Sequence, residues 1–458
     1  MKSLDLTPTN ENVYNSLIND SIGRGEFVRQ FVKMLNAIED NCTIALEGNW
    51  GSGKTFFVKQ VKMVLDAHNP NYQPVNGFLT EERRKAIKEK CSEFNAEDGS
   101  TELKPQLCVY YDAWQNDNDE DPILSLVYSI VKETGSDFSF DKKPTLDICG
   151  ELIKLVCDKD ISKLIKVLKG ENALDLIKET KDEAEKVSEF LQSLLPEVGK
   201  RLIVFVDELD RCKPSYAVKI LERIKHYFLD EEITFVFSVN INELQHTIKK
   251  HYGNDFDATR YLDRFFDLRA TLPKFDLEKY YANIGFELNE KMFNYVCASV
   301  INKYQFEMRN IAKYIRLAKI AVPKSVRKGD MLFVPEKSAL FIYNIYVIPI
   351  MIGLKLTDAK RFENFVNGKD CTPLLDFQKC FSMGCFVDLA FERYEKSSND
   401  KAAAIEKKIK EIYDAIFVEK YEDESYRLIG SMYFDKKTKN SVMCIAGLMS
   451  SSASFDEE

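Results

Sequence analysis

The chain has 458 residues, of which 45% are hydrophobic and 30% charged, with a formal net charge of −9. That length exceeds one typical domain and points to two or three units, each able to bury its own core, and the balance of apolar and charged residues excludes disorder as the default state. The acidic total argues against a dedicated duplex nucleic-acid binder, which needs clustered Lys and Arg to release phosphate counterions, and leaves a local basic patch open.

In chain order, residues 1–40 form a lead-in segment. A loop is expected from Leu6 to Asn12, then a helical pattern through Phe27, Phe31, Val32 and Leu35. Cys42-Thr-Ile-Ala-Leu46 is short, apolar and followed by glycine-rich sequence, as a buried parallel strand entering a phosphate loop should be. A helix follows from Lys54 to about His68. Residues 69–106 read as a polar insertion with one or two exposed helices, one over EERRKAIKEK. Leu107–Tyr111 is the second strand, and residues 146–198 are a further helical insertion.

Arg201–Val206 and Ile233–Val239 are the strongest strand signals, joined by a helix that Pro214 opens at a first-turn position. Leu268–Leu272 is a weaker fifth strand. Alternating strands and helices imply an α/β fold, a parallel five-stranded sheet between two helical layers. This core occupies residues 41–275. Beyond it lie a lid-like helical region, 276–320, and a helical C-terminal domain, 321–458, whose last residues from Ser450 are expected to be disordered. The uncharged run Ala339–Leu354 is shorter than the roughly 20 residues that cross a bilayer and contains Asn344 and Pro349, so a buried helix is expected and membrane contact is not.

The eleven cysteines show no paired spacing and follow no secretory signal, which predicts reduced thiols in a cytoplasmic setting. Cys371, Cys380 and Cys385 lack C-x-x-C spacing and a neighbouring histidine, so no zinc site is expected.

The chemistry is carried by Gly48-Asn49-Trp50-Gly51-Ser52-Gly53-Lys54-Thr55, which fits G-x-x-x-x-G-K-[ST] between a predicted strand and a predicted helix. Backbone N–H groups from Gly48 to Phe56 would face the phosphates, with the positive end of the helix behind them. Lys54 would reach the β- and γ-phosphates and the Thr55 hydroxyl would sit on Mg²⁺. Asp207-Glu208 follows the third strand directly. Asp207 is placed to hold Mg²⁺ and Glu208 to act as general base towards water. Asn302-Lys-Tyr-Gln305 fails the guanine-reading N-K-x-D pattern at its last position and no L-S-G-G-Q segment occurs, which leaves ATP hydrolysis as the expected activity.

Asp207-Glu-Leu-Asp-Arg-Cys-Lys-Pro214, together with the phosphate loop, resembles the KAP family of P-loop NTPases. Weaker correspondences are Ile22-Gly-Arg24, Tyr111-Asp-Ala-Trp-Gln115 and Arg260-Tyr-Leu-Asp-Arg-Phe-Phe266. Tyr111 and Asp112 depart from the family's usual F-N-A-W. The resemblance implies an ASCE/AAA+-related core with ATP and Mg²⁺ as ligands, and Arg24 beside the nucleotide. It implies a sensor role for Asn240, whose alternative is a capping asparagine. It implies an arginine finger at Arg260 or Arg264, whose alternative is a surface pair with Asp257 or Asp263. Arg309 would sense the γ-phosphate from the lid region, or is merely solvated; Trp114 is expected in core packing, with stacking beneath the phosphate loop as its alternative. The family further implies a nucleotide-dependent switch in bacterial phage defence, assembly into homo-oligomers, and partner proteins encoded alongside. A scaffold that binds ATP without turning it over is the alternative.

Overall fold

A computed structural model describes residues 7–71, 77–95, 102–119, 121–134, 195, 199–228, 230–286, 292–328, 335–377 and 401–449. The chain divides into two compact units, Ser3–Tyr280, and Tyr281–Glu458 with Met1–Lys2. The insertion expected at 146–198 lies outside the described residues except for Leu195, and so do Cys380, Cys385 and the tail from Ser450.

The first unit is built on five strands: β1 Cys42–Glu47, β2 Gln106–Asp112, β3 Arg201–Asp207, β4 Ile233–Val239 and β5 Leu268–Thr271. They pair in the order β2-β3-β4-β1-β5, parallel throughout. Every residue of β3 and of β4 is buried. Successive side chains of a strand point to opposite faces, so burial at every position means that both faces of the sheet are covered. That explains why these two strands read as unbroken apolar runs, and it makes the unit a three-layer α/β core.

The register brings the strand ends together. Asp112 pairs with Asp207, Asp207 with Ser238, and Ser238 with Leu46. The C-terminal ends of β2, β3, β4 and β1 therefore lie along one edge, and whatever follows each strand meets there.

Helix α1 (Asn10–Asn19) begins two residues before the expected loop ends, because Thr9 Oγ1 accepts the Asn12 N–H at 3.2 Å and caps it. Helix α2 (Gly25–Ala37) packs on α3 (Lys54–His68) through Phe27, Phe31 and Phe57, whose ring centroids lie 5.0 and 5.3 Å from that of Phe57. The charged helix α4 (Glu81–Lys90) exposes Glu81, Glu82, Lys85, Glu89 and Lys90, as expected of a surface helix, and buries Arg84 and Ile87. Arg84 is buried and donates to the carbonyls of Asp66, Ala67 and Asn69, at 2.8, 3.3 and 3.3 Å, so its cation closes the C-terminal end of α3. Helices α5 (Pro122–Thr134), α6 (Pro214–Tyr227), α7 (Ile241–Tyr252) and the short α8 (Ala258–Leu262) complete the described core.

In the second unit, α9 (Met292–Tyr304) and α10 (Met308–Ala321) accompany a long apolar helix, Pro335–Ile342 and Ile348–Thr357 about a π turn at Tyr343–Val347. Ala339–Thr357 is long and apolar enough to cross a membrane by length and composition, and 72% of its apolar window is buried within the protein. Two of its polar groups are matched internally: Asn344 Nδ2 donates to Leu340 O at 2.7 Å, and the Pro349 carbonyl accepts from Tyr314 at 3.2 Å. A hairpin, β6 Tyr426–Ile429 and β7 Met432–Asp435, turns at Gly430-Ser431. No strand was expected there, although glycine-serine between two short apolar runs is a hairpin signal.

Candidate nucleotide site

The loop after β1 curls because two of its glycines supply backbone angles closed to other residues: φ is +83° at Gly51 and +92° at Gly53. Gly48 is needed for space, since a Cβ there would come within 2.9 Å of Ser52 Oγ and 3.1 Å of Lys54 Cγ. Helix α3 starts at Lys54, so its first N–H groups open toward the loop. Ser52 Oγ is buried without a hydrogen-bond partner. A loop lined by N–H groups, one orphaned hydroxyl and a buried lysine fits a phosphate chain.

Lys54 is 8% exposed and donates to the carbonyls of Gly48, 2.7 Å, and Asn49, 3.2 Å. Burial lowers its pKa, against the opposing pull of Asp210, Asp207 and Glu208. Across the sheet edge, Asp207 at the end of β3 is 1% exposed and accepts from Thr55 Oγ1 at 2.6 Å and from Tyr110 OH at 2.9 Å. The neighbouring Glu208 N–H donates to the other Asp207 oxygen at 3.0 Å. A hydroxyl and a carboxylate in direct contact are the hard oxygen donors that Mg²⁺ takes, so Thr55 and Asp207 fit the role assigned to them.

Glu208 stands in the left-handed region, φ +60°. Its carboxyl pKa is pushed up to about 7, chiefly by burial and then by the Asp207 charge, while the Arg211 guanidinium opposes the shift through an ion pair. Asp210 and Asp112 are likewise raised by burial. Four carboxylates crowd one edge of the sheet, and burial works against the charge of three of them.

The remaining expected residues fall in different places. Phe56 is buried in the first turn of α3 and anchors the helix. Arg24 is 5% exposed, and its Nη1 donates to Ser52 O at 2.8 Å while its Nε donates to Pro273 O at 2.9 Å. Those bonds clamp the phosphate loop to the segment after β5. Asn240 follows β4 directly and caps α7, with its Oδ1 accepting from Glu243 N at 3.5 Å, and its backbone N–H serves Asp210.

Arg260 and Arg264 do not share a helix face, because α8 ends at Leu262. Both are exposed, and neither pairs with an acid among the described residues. Asp257 caps α8, and Asp263 pairs with Arg269. Arg264 precedes β5, at the end of the sheet opposite the phosphate loop, beside a 210 Å³ cleft lined by Thr43, Phe235 and Phe237. It cannot reach its own loop from there. Arg309 is exposed on α10 of the second unit.

Trp114, expected in the core, is 51% exposed in the turn after β2, where Arg211 rather than apolar packing covers one of its faces. Sequence reasoning missed Tyr110, Asp210 and Arg211. Asp210 and Arg211 had a usable signal, their place in Asp207-Glu-Leu-Asp-Arg; Tyr110 had none.

A model described as the KAP family P-loop domain matches residues 24–329. No curated protein matches the chain. Among solved structures, the Aeropyrum pernix ORC2 protein in its ADPNP-ADP complexes aligns with 87% of this chain and 94% of its own, at 11% identity and a TM-score of 0.31. Drosophila ORC bound to GC-rich DNA and Cdc6 aligns with 89% of this chain and 52% of its own, at 10% identity and a TM-score of 0.31. This chain thus spans about half the length of the latter.

Arg24→Ala leaves two carbonyls without a cation, and charged hydrogen bonds contribute about 1.5–3 kcal/mol each. The variant is expected to unfold at lower temperature and to bind ATP about tenfold more weakly, by calorimetric titration; undiminished affinity would show that the clamp does not shape the loop.

Proposed function

The chain belongs to the KAP family of P-loop NTPases, and on that premise we propose that it binds ATP with Mg²⁺ and hydrolyses it, acting as a nucleotide-dependent switch. The observation that carries this reading is the 2.6 Å contact between Thr55 Oγ1 and Asp207 Oδ2, which joins the phosphate loop to an acidic strand end that also bears Glu208. A loop serving only as a turn has no use for a buried lysine aimed at its own carbonyls.

In the proposed reaction Lys54 exchanges the Gly48 and Asn49 carbonyls for phosphate oxygens. Loop N–H groups from Gly48 to Phe56 orient the triphosphate. Thr55 and Asp207 would hold Mg²⁺, which when bound neutralises charge between the β- and γ-phosphates. Glu208 accepts the proton of the attacking water, and the Asn240 side-chain amide, which the cap engages only through Oδ1, orients that water. Arg264 reaches the site of a neighbouring copy, because its exposed and acid-free guanidinium lies at the far end of its own sheet; Arg260 is the other residue for that role. Arg309 is the residue proposed to sense the γ-phosphate.

The biological setting we propose is bacterial antiviral defence in the cytoplasm, as a homo-oligomer with partner proteins encoded nearby. One observation favours a second reading, an ATP-binding scaffold with negligible turnover: the Glu208 carboxylate is already paired with Arg211.

Lys54→Ala is expected to abolish ATP binding while the unfolding temperature stays near that of the parent, since the Arg24 clamp and the Ser52 N–H bond to Asn49 O still hold the loop, and the two bonds lost are offset by removing a buried cation. Glu208→Gln is expected to retain ATP binding and to release phosphate at least about 100-fold more slowly. Equal phosphate release from Glu208→Gln and the parent removes hydrolysis from the account and leaves the scaffold. For Arg264→Ala, light scattering with ATP beside a phosphate-release assay should show either slower turnover or altered assembly. Neither change would end the finger assignment.

A further inference from the structure

The chain has two tryptophans, and both lie against one arginine. Trp50 belongs to the phosphate loop and Trp114 to the turn after β2. They are 45% and 51% exposed, although each is large and apolar. The guanidinium carbon of Arg211 is 6.0 Å from the Trp50 ring centroid and 5.4 Å from that of Trp114, within the reach of a cation–π attraction. The same guanidinium donates through Nε to the Glu208 carboxylate. Trp50 is tied down a second time, its Nε1 donating to Asp210 in the turn that carries Arg211.

An arginine three residues from a glutamate on an exposed surface ordinarily contributes little, because both side chains keep their freedom. Here that freedom is largely gone. The left-handed backbone at Glu208 fixes where its side chain departs, and two rings restrict the plane of the guanidinium that holds the carboxylate. A planar fork is required for this; an ammonium offers neither the flat face nor the fixed donor.

We propose that Arg211 is a positioning residue for ATP hydrolysis, clamped by Trp50 and Trp114 so that it fixes the orientation of the Glu208 carboxylate. Because Trp50 is part of the phosphate loop, the orientation of the base is tied mechanically to the conformation that the loop adopts around the phosphates. This rests on the reading of Glu208 as the base and adds to it the residues that aim that base.

The test uses the full chain and four variants: Arg211→Ala, Arg211→Lys, Glu208→Gln, and Glu208→Gln with Arg211→Ala. In nucleotide-free protein, acrylamide quenching of fluorescence excited selectively at tryptophan, beyond the absorption of the 21 tyrosines, reports only Trp50 and Trp114. It is expected to rise about twofold in Arg211→Ala as the rings lose their cover. With ATP and Mg²⁺, Arg211→Ala is expected to lower kcat about tenfold and to leave KM within about threefold. Arg211→Lys should recover only part of that loss. Adding Arg211→Ala to Glu208→Gln should leave the residual rate unchanged, since the residue acts through the carboxylate.

The proposal is overturned by a parental kcat in Arg211→Ala, by full recovery with lysine, by unaltered quenching, or by a further tenfold loss on the Glu208→Gln background. Parental turnover in Glu208→Gln would be a different failure, that of Glu208 as base, and is read from that variant alone.

Discussion

Everything about the site depends on one hydrogen bond across the sheet, from the Thr55 hydroxyl to the Asp207 carboxylate. The two residues belong to segments separated by more than a hundred positions, and their strands are not neighbours: β4 lies between β1 and β3. The contact therefore exists only because the parallel register is correct in two successive pairings, Leu46 with Ser238 and Asp207 with Ser238. A slip of one residue in either pairing would turn Asp207 to the other face. The continuous apolar runs of β3 and β4 hold that register by leaving no position that tolerates exposure.

The edge so formed is electrostatically costly. Glu208, Asp210 and Asp112 are all pushed toward their neutral forms by burial, and Lys54 toward losing its proton. Part of the cost is met inside the fold: by the loop carbonyls around Lys54, by Tyr110 and Thr55 around Asp207, and by Arg211 around Glu208. The left-handed backbone at Glu208 adds strain of the kind that surrounding structure must impose. Such an arrangement makes sense for a site whose charges are to be satisfied by something else, and a triphosphate with its metal supplies both signs.

How much of this was legible in the sequence varied with how local each determinant was. The five strands and the loop were legible because continuous apolar runs and a fixed glycine-lysine spacing are local signals. Thr55 and Asp207 could be named as partners only through motif logic, since nothing in either segment encodes their distance. Arg24 was assigned to the nucleotide, and its bonds to the Ser52 and Pro273 carbonyls are a long-range contact without a local trace. Trp114 was misread for a general reason: large aromatic residues are usually buried, and only the cation of Arg211 lets this one stay half in water. In the exposed helix α4 only the burial of Arg84 went unread, because a buried arginine that caps another helix has no sequence signature. The hairpin at Tyr426–Asp435 was missed because its strands are only four residues each.

The central claim is that the cradle and the acidic strand end grip a single metal-bound nucleotide between them. It is tested most directly by titrating ATP into the parent chain and into Asp207→Ala, with and without Mg²⁺. The account predicts that Mg²⁺ tightens ATP binding in the parent and that Asp207→Ala loses most of this dependence while still binding ATP through Lys54. Full Mg²⁺ dependence in Asp207→Ala would mean that the two halves do not share the metal, and would contradict the account.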